Sequence, residues 1–350
     1  MELDPIIVCP ETLGPLRRVD EGFWSDKAQR LYPARQGLVF MGYPERDATM
    51  IRSTMEEERL WQGTGEASAT NLAYLRETVD GAVDLINMLQ DYLPESGGQP
   101  RAMELGCGNG WVSWLLAAAG FDTWMCDFEA NSLVTGLNLE HQNLGDGKRF
   151  VADARYAPCA DGALDLVLLK EFVHHVEDHP SLFNEAARML RDGGIVVMRE
   201  PVLSLWRAIY ELRHPDDHEG HHFTWPDSYL RAIRRAGFEI VYQSQIYDEN
   251  ANRRRLTAWM KKRAEASISE ANPSGNLLAK LQLRLFGGAA LVVVARKIRR
   301  VSPTKRPPMV TIDPSTLVVD DAELAGYAEF PAVLEEASRR LDGVRYPNQT

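Results

Sequence analysis

Residues 102–110 constrain the fold of this chain more than any other segment. They read Ala-Met-Glu-Leu-Gly-Cys-Gly-Asn-Gly, an apolar strand followed by three glycines at alternate positions, and a helix is predicted to begin at Trp111. Glycine adopts positive φ angles without strain, and because it has no Cβ it lets the main chain approach a ligand closely. The segment therefore predicts a nucleotide-binding turn between a strand and a helix.

The spacing of the glycines indicates which kind of nucleotide this turn suits. Dinucleotide-binding folds use Gly-x-Gly-x-x-Gly, in which the third glycine packs the helix on the strand and the helix N-terminus faces a pyrophosphate. Here the spacing is Gly-x-Gly-x-Gly, and an acidic residue, Glu104, precedes the glycines. The turn therefore suits a nucleoside that carries an amino-acid tail better than a dinucleotide.

The segment from Glu104 to Gly110 resembles the first motif of class I methyltransferases that use S-adenosylmethionine, and further motifs follow in that family's order. Asp127 follows the predicted strand 121–126, and the resemblance places its carboxylate on the ribose hydroxyls. Asp153 and Ala154 follow the predicted strand 149–152 and resemble the pair at the adenine edge. The later motifs resemble the subgroup that includes the quinone-biosynthesis methyltransferases, at residues 161–169, 172–178 and 190–201.

This resemblance covers residues 70–297 and implies both a fold and a cofactor. The fold would be a Rossmann-like α/β domain with a mostly parallel seven-stranded sheet, whose last strand at 289–295 is antiparallel to its neighbour. The cofactor would be S-adenosylmethionine. The residues that the resemblance assigns to the cofactor are Glu104, Gly106, Gly108, Asn109, Gly110, Asp127, Phe128, Asp153, Ala154 and Lys170.

The order of predicted elements divides the chain into four parts. Residues 1–45 form a small β-rich module with short strands broken by Gly and Pro, residues 46–66 a linker, residues 67–299 the methyltransferase domain, and residues 300–350 a C-terminal extension. Strands and helices alternate from 101 to 200, which implies a parallel sheet with helices on both faces. After an insertion at 201–223, Thr224 is expected to cap the next helix.

The N-terminal module resembles the treble-clef-like activator subunit of tRNA and release-factor methyltransferases. It departs from that resemblance in its metal ligands. A structural zinc needs four Cys or His side chains, and Cys9 is the only such residue before Cys107. We therefore expect this module to be stabilised by packing without a metal ion.

Composition narrows the class of protein further. The chain has 350 residues, of which 45% are hydrophobic and 25% charged. It holds no apolar run of about 18 residues that would span a membrane, and its start lacks the basic segment of a secretory signal. Four scattered cysteines suggest no disulfide framework, so we expect a cytoplasmic protein. The net charge of −11 disfavours nucleic acid as a partner.

Histidines supply the candidate catalytic groups. An oxygen or nitrogen acceptor must lose its proton near neutral pH, where histidine titrates. His174 and His175 follow the fourth strand at the carboxyl end of the sheet, where open α/β folds bind ligands. His221 and His222 end the insertion after the fifth strand, which itself ends at Glu200, a residue near the pocket or a cap of its strand. We expect the two loops to converge, with one histidine of each pair facing the cofactor.

Two segments allow more than one interpretation. Residues 214–222 have the residue types of a metal site, but their spacing fits no motif, so a lid over the substrate or an exposed loop are alternatives and no metal is assigned. The segment 247–288 contains two basic runs, which form a solvated helical face or bind an acidic substrate.

The sequence therefore predicts a methyltransferase that acts on oxygen or nitrogen of a small molecule, such as a sugar or a secondary-metabolite intermediate. An RNA or protein methyltransferase is one alternative to this prediction. A non-catalytic module that binds S-adenosylmethionine is the other.

Overall fold

One large mixed sheet organises the chain. The computed structural model describes residues 3–47, 72–93, 98–135, 144, 147–213, 222–247, 289–301, 305–316 and 330–341. In chain order the strands are β1 (Arg17–Val19), β2 (Gly22–Ser25), β3 (Arg30–Arg35), β4 (Leu38–Pro44), β5 (Arg101–Leu105), β6 (Asp122–Asp127), β7 (Arg149–Ala152), β8 (Leu164–Lys170), β9 (Leu190–Pro201), β10 (Phe238–Tyr247), β11 (Ala289–Lys297) and β12 (Met309–Val310). Their spatial order is β1-β2-β3-β4-β7-β6-β5-β8-β9-β11-β10, with β12 paired to β4.

The centre of this sheet is parallel. Strands β4, β7, β6, β5, β8 and β9 all run in the same direction, whereas β11 lies antiparallel between β9 and β10. Every residue of β8 is buried, as expected for a strand that is covered on both faces. The predicted mostly parallel core is therefore confirmed.

Helices cover both faces of the sheet. They are α1 (Leu72–Leu89), α2 (Trp111–Ala118), α3 (Ala130–Thr135), α4 (His179–Met189), α5 (Leu205–Arg213), α6 (Pro226–Arg235) and α7 (Phe330–Ser338). Successive residues of a strand point to opposite faces, and accordingly Leu168 of β8 belongs to one hydrophobic cluster and Leu169 to another. The first cluster joins α1, α2 and α7 to the sheet, and the second joins α4 and α6. Among the described helices, none is long and apolar enough to cross a membrane.

The N-terminal strands join the main sheet, which differs from the predicted separate module. β4 lies parallel to β7, with Phe40 opposite Val151, and Ile7 forms a bridge to Cys159. All seven residues of β4 are buried. This burial explains why β4 covers the edge of the sheet at β7. The described sheet consequently has more strands than the seven that the resemblance implies.

The C-terminal extension also packs on the rest of the fold. β12 pairs antiparallel with β4, and the fully buried Phe330 of α7 contacts the ring of Trp111 edge to face, with centroids 5.5 Å apart. Trp111 follows the last glycine of the turn directly. The extension therefore packs against the helix that begins at the predicted cofactor turn.

One predicted helix cap is wrong. Helix α6 begins at Pro226 with Trp225 as its N-cap, without a side-chain cap hydrogen bond, so Thr224 lies one residue outside the cap position. Proline favours the first helical position because its missing N–H would have no intrahelical partner there. The predicted basic runs in 247–288 and most of the predicted cluster at 214–222 lie outside the described residues.

Candidate cofactor site and active site

The three glycines of the turn between β5 and α2 have different surroundings. Gly106, Gly108 and Gly110 have φ angles of 69°, 51° and 76°, a region that disfavours residues with a Cβ. A Cβ on Gly106 would lie 2.0 Å from the ring of Phe172, and one on Gly110 would lie 2.5 Å from Sδ of Met125. A Cβ on Gly108 would meet nothing within 4 Å. Two glycines therefore permit close packing, and Gly108 borders open space where a ligand can approach.

Asp127 lies beside that open space. Its Oδ2 accepts a hydrogen bond from the main-chain N–H of Gly108 at 2.8 Å, and its Oδ1 accepts one from Glu129 at 3.0 Å. Burial raises the pKa of this carboxyl to about 6. Phe128 is half-buried, and the side chain of Asn109 donates to the main-chain oxygen of Ser132 at 3.4 Å. The glycine turn is thus tied to the end of β6 and the start of α3.

Two buried charged residues lie behind the turn. Glu104 accepts a hydrogen bond from Oγ of Ser113 at 2.5 Å, and burial raises its pKa to about 7. Burial also lowers the pKa of Lys170 to about 7, while the negative charges of Glu104 and Glu200 oppose that shift. Lys170 Nζ lies 3.2 Å from Oε2 of Glu171. The ends of β5 and β8 therefore place two side chains with shifted pKa values, Glu104 and Lys170, beside the predicted site.

Asp153 forms an ion pair in the structure. Its Oδ1 accepts the main-chain N–H of Arg155 at 2.8 Å, and its two oxygens accept from the guanidinium of Arg155 at 2.6 to 3.1 Å. The same guanidinium donates to Oδ2 of Asp47 at 2.7 Å. Ala154 is buried directly after Asp153. The predicted adenine edge thus contains an arginine that the sequence analysis did not assign.

Glu200 anchors the loop that follows β8. Its Oε1 accepts the main-chain N–H groups of Phe172 and Val173 at 2.6 and 2.8 Å. Its Oε2 accepts that of His174 at 3.4 Å and lies 2.8 Å from Nδ1 of the same histidine. The side chain is fully buried, and burial raises its pKa to about 7. Glu200 therefore fixes both the loop and the ring of His174.

The two predicted histidine segments meet in the structure. The main-chain N–H of His222 donates to the carbonyl oxygen of His174 at 2.5 Å, and the ring of Phe223 stacks on that of His174 with centroids 4.9 Å apart. His175 lies beside His174, with ring centroids 4.2 Å apart. Burial lowers the pKa of His175 to about 3, so its ring is neutral at neutral pH and a weak proton acceptor. His221 lies outside the described residues.

Phe172 connects the histidine loop to the cofactor turn. Its ring occupies the space over Gly106, and its N–H is held by Glu200. His174 follows two residues later. The histidine loop therefore packs directly against the glycine turn, a contact between residues far apart in the sequence.

Four of these residues make contacts at the site that the sequence did not predict. Glu200 was expected only near the pocket or as a strand cap, and Phe172, Arg155 and Asp47 were not assigned to the site. A glutamate at the end of a predicted strand, beside a predicted ligand loop, is the one available signal among them. Within the described ranges, no group of three or more His, Cys, Asp or Glu side chains is arranged to hold a metal ion.

The chain is similar in sequence to known methyltransferases. Residues 73–243 match a family model described as a methyltransferase domain. A ubiquinone biosynthesis O-methyltransferase from a Caulobacter species is 30% identical over 143 residues, which cover 38% of this chain and 56% of the relative. The 27-O-demethylrifamycin SV methyltransferase of Amycolatopsis mediterranei is 28% identical over 132 residues, which cover 34% of this chain and 44% of the relative. The chain spans about half the length of these curated relatives.

A solved S-adenosylmethionine-dependent methyltransferase from Methanosarcina mazei shares 20% sequence identity over 60% of this chain and 97% of that one, with a TM-score of 0.41. The family match covers the glycine turn, Asp127, Asp153 and the histidine loop. Together, the motifs and this match show that residues 73–243 are similar to a methyltransferase domain.

Proposed function

We propose that the chain transfers the methyl group of S-adenosylmethionine to an oxygen or nitrogen of a small molecule, such as a sugar or a secondary-metabolite intermediate. The observation that carries this proposal is the contact of Phe172 with Gly106. Through this contact the Glu200–His174 pair lies next to the cofactor turn. A proton acceptor at that place suits an acceptor group that must lose its proton during methyl transfer.

The residues of the turn fit the cofactor. Gly108 leaves open space where the main chain can approach a ligand, and Asp127 beside it supplies a carboxylate for the ribose hydroxyls. We assign Asp153 and Ala154 to the adenine edge, and Glu104 and Lys170 to the amino-acid end. The cofactor supplies an electrophilic methyl group on a sulfonium sulfur. The assigned set is completed by Gly106, Asn109, Gly110 and Phe128.

The Glu200–His174 pair is the candidate base. A histidine whose ring is held by a buried carboxylate is the arrangement of an oriented base. His175 and His222 are further candidates, and the case for His175 is weaker because burial lowers its pKa. A base contributes roughly 10² to 10⁴ in rate, and the positioning of reactants provides effective molarities of about 10⁵ to 10⁸ M. Positioning is therefore the larger contribution.

The Caulobacter relative supports oxygen as the acceptor atom, since its name describes an O-methyltransferase. These two relatives are named after small molecules, which favours a small acceptor over RNA or protein. The acidic net charge of −11 also disfavours RNA as the acceptor, because polyanions attract basic surfaces.

Incubation of the full chain with methyl-labelled S-adenosylmethionine and a cell extract tests this proposal. We expect the label in a small molecule, and the labelled product identifies the acceptor. Label in RNA or protein would instead support that alternative. Tight binding of S-adenosylmethionine without transfer to any fraction would indicate a non-catalytic module.

A further inference from the structure

Arg155 bridges the N-terminal strands and the predicted adenine edge. Its guanidinium pairs with both oxygens of Asp153 and donates to Oδ2 of Asp47 at 2.7 Å. Asp47 ends the short 3-10 turn that follows β4. Asp153 directly follows β7, the strand that pairs with β4. One cation therefore joins carboxylates that are more than a hundred residues apart in the sequence.

The main chain reinforces this connection. The N–H of Asp153 donates to the carbonyl oxygen of Gly42 at 3.2 Å. On the other side, Gly42 is approached so closely by the C-terminal extension that a Cβ would lie 2.3 Å from the carbonyl oxygen of Val310. The place of Asp153 is thus set by β4, and β12 holds β4 in turn.

The buried charges of this group do not cancel. The side chains of Asp47, Asp153 and Arg155 are 17%, 7% and 10% exposed, so two shielded carboxylates share one shielded cation. Arg46 also lies near Asp47 at 3.4 Å, but its side chain is 62% exposed, and exposed pairs contribute little. The three shielded side chains therefore carry one more negative than positive charge next to the predicted adenine edge.

We infer that Asp47 is a positioning residue for the adenine end of the cofactor site, acting through Arg155 on Asp153. By taking part of the guanidinium charge, Asp47 leaves Asp153 able to accept a hydrogen bond from the exocyclic amino group of adenine. Without the charge of Asp47, Arg155 would neutralise Asp153 and compete with that amino group. This inference rests on the proposed function, since it requires that the site binds an adenosine cofactor.

Calorimetry with two ligands tests the inference on the full chain. The ligands are S-adenosylhomocysteine and S-inosylhomocysteine, in which a carbonyl oxygen replaces the amino group of adenine. We expect the unmodified chain to prefer the adenine ligand by about tenfold, or ~1.4 kcal/mol. In Asp47→Asn that preference should shrink by at least about threefold, or ~0.7 kcal/mol. Glu45→Gln, an exposed acid of the same turn, should keep the full preference.

A double variant separates charge from simple loss of structure. Asp47→Asn combined with Arg155→Gln again leaves one uncompensated carboxylate at Asp153, so the preference for adenine should return towards that of the unmodified chain. An unchanged preference in Asp47→Asn, or an equal loss in Glu45→Gln, would overturn the inference. So would a failure of the double variant to regain the preference. Failure of the unmodified chain to bind either ligand would instead contradict the proposed function.

Discussion

The carboxylate of Glu200 lies 2.8 Å from Nδ1 of His174 and also accepts hydrogen bonds from the main-chain N–H groups of Phe172 and Val173. This one side chain orients the ring of His174 and holds the loop that packs on the cofactor turn. Replacement of Glu200 should therefore affect catalysis more than cofactor binding.

Glu200→Gln should lower turnover by roughly 10²-fold, the lower end of what a base contributes. The amide nitrogen of glutamine cannot accept the N–H groups that the carboxylate accepts, so the free energy of unfolding should also fall by roughly 1 to 3 kcal/mol. Steady-state kinetics and calorimetry separate the two effects, with cofactor affinity nearly unchanged. Glu177→Gln, an exposed residue of the same loop, is the control, and equal turnover in both variants would contradict the assignment.

The glycine turn allows a matched pair of substitutions. Gly108→Ala places a methyl group in the space proposed for the cofactor and adds backbone strain of about 1 to 2 kcal/mol. Gly193→Ala adds similar strain, since Gly193 has a φ angle of 80° and a Cβ there would also meet nothing within 4 Å. We expect a similar loss of thermal stability in both, but a loss of cofactor affinity of at least about tenfold only in Gly108→Ala. Equal affinities would show that Gly108 does not border the cofactor.

Glu104 should make stability depend on pH with a defined sign. Burial raises its pKa from 4.5 to about 7 in the folded chain, so the folded state binds this proton more tightly than the unfolded state. The stability that this tighter proton binding provides is present in full below pH 4.5 and is lost as the pH rises towards 7. Glu104→Gln cannot ionise, and thermal unfolding should show its stability relative to the parent increasing across that window. A difference that stays constant with pH would contradict the raised pKa.

The N-terminal strands should contain no zinc. Cys9 is fully buried and its Sγ lies 3.2 Å from the hydroxyl of Tyr32, which gives it a hydrogen-bonding partner inside the protein. A four-ligand zinc site cannot be built from one cysteine without histidines. Elemental analysis of the full chain should therefore find far less than one zinc per molecule, and stoichiometric zinc that is lost in Cys9→Ser would disprove this expectation.

The parallel core could be predicted because its signals are local. The apolar run 102–105, the glycines after it and the apolar run of β8 each mark a strand or a turn within a few residues. The pairing of β4 with β7 could not be predicted in this way, since it joins segments about a hundred residues apart. No periodicity within either strand specifies its neighbour in a sheet.

The candidate site shows the same division. Asp127 and Asp153 could be proposed from the sequence because each directly follows a predicted strand within a known order of motifs. Glu200 and Asp47 act on main-chain groups and charges of distant loops, and such contacts depend on how the strands are arranged. Their contacts form only where the sheet brings those loops together.

Titration of S-adenosylmethionine into the unmodified chain and into Asp127→Ala tests the central claim most directly. A carboxylate that accepts both ribose hydroxyls contributes about 1.5 to 3 kcal/mol, so the account predicts binding by the unmodified chain and roughly tenfold to hundredfold weaker binding by the variant. Equal affinity in the two proteins, or tighter binding of a nicotinamide dinucleotide than of S-adenosylmethionine, would contradict it.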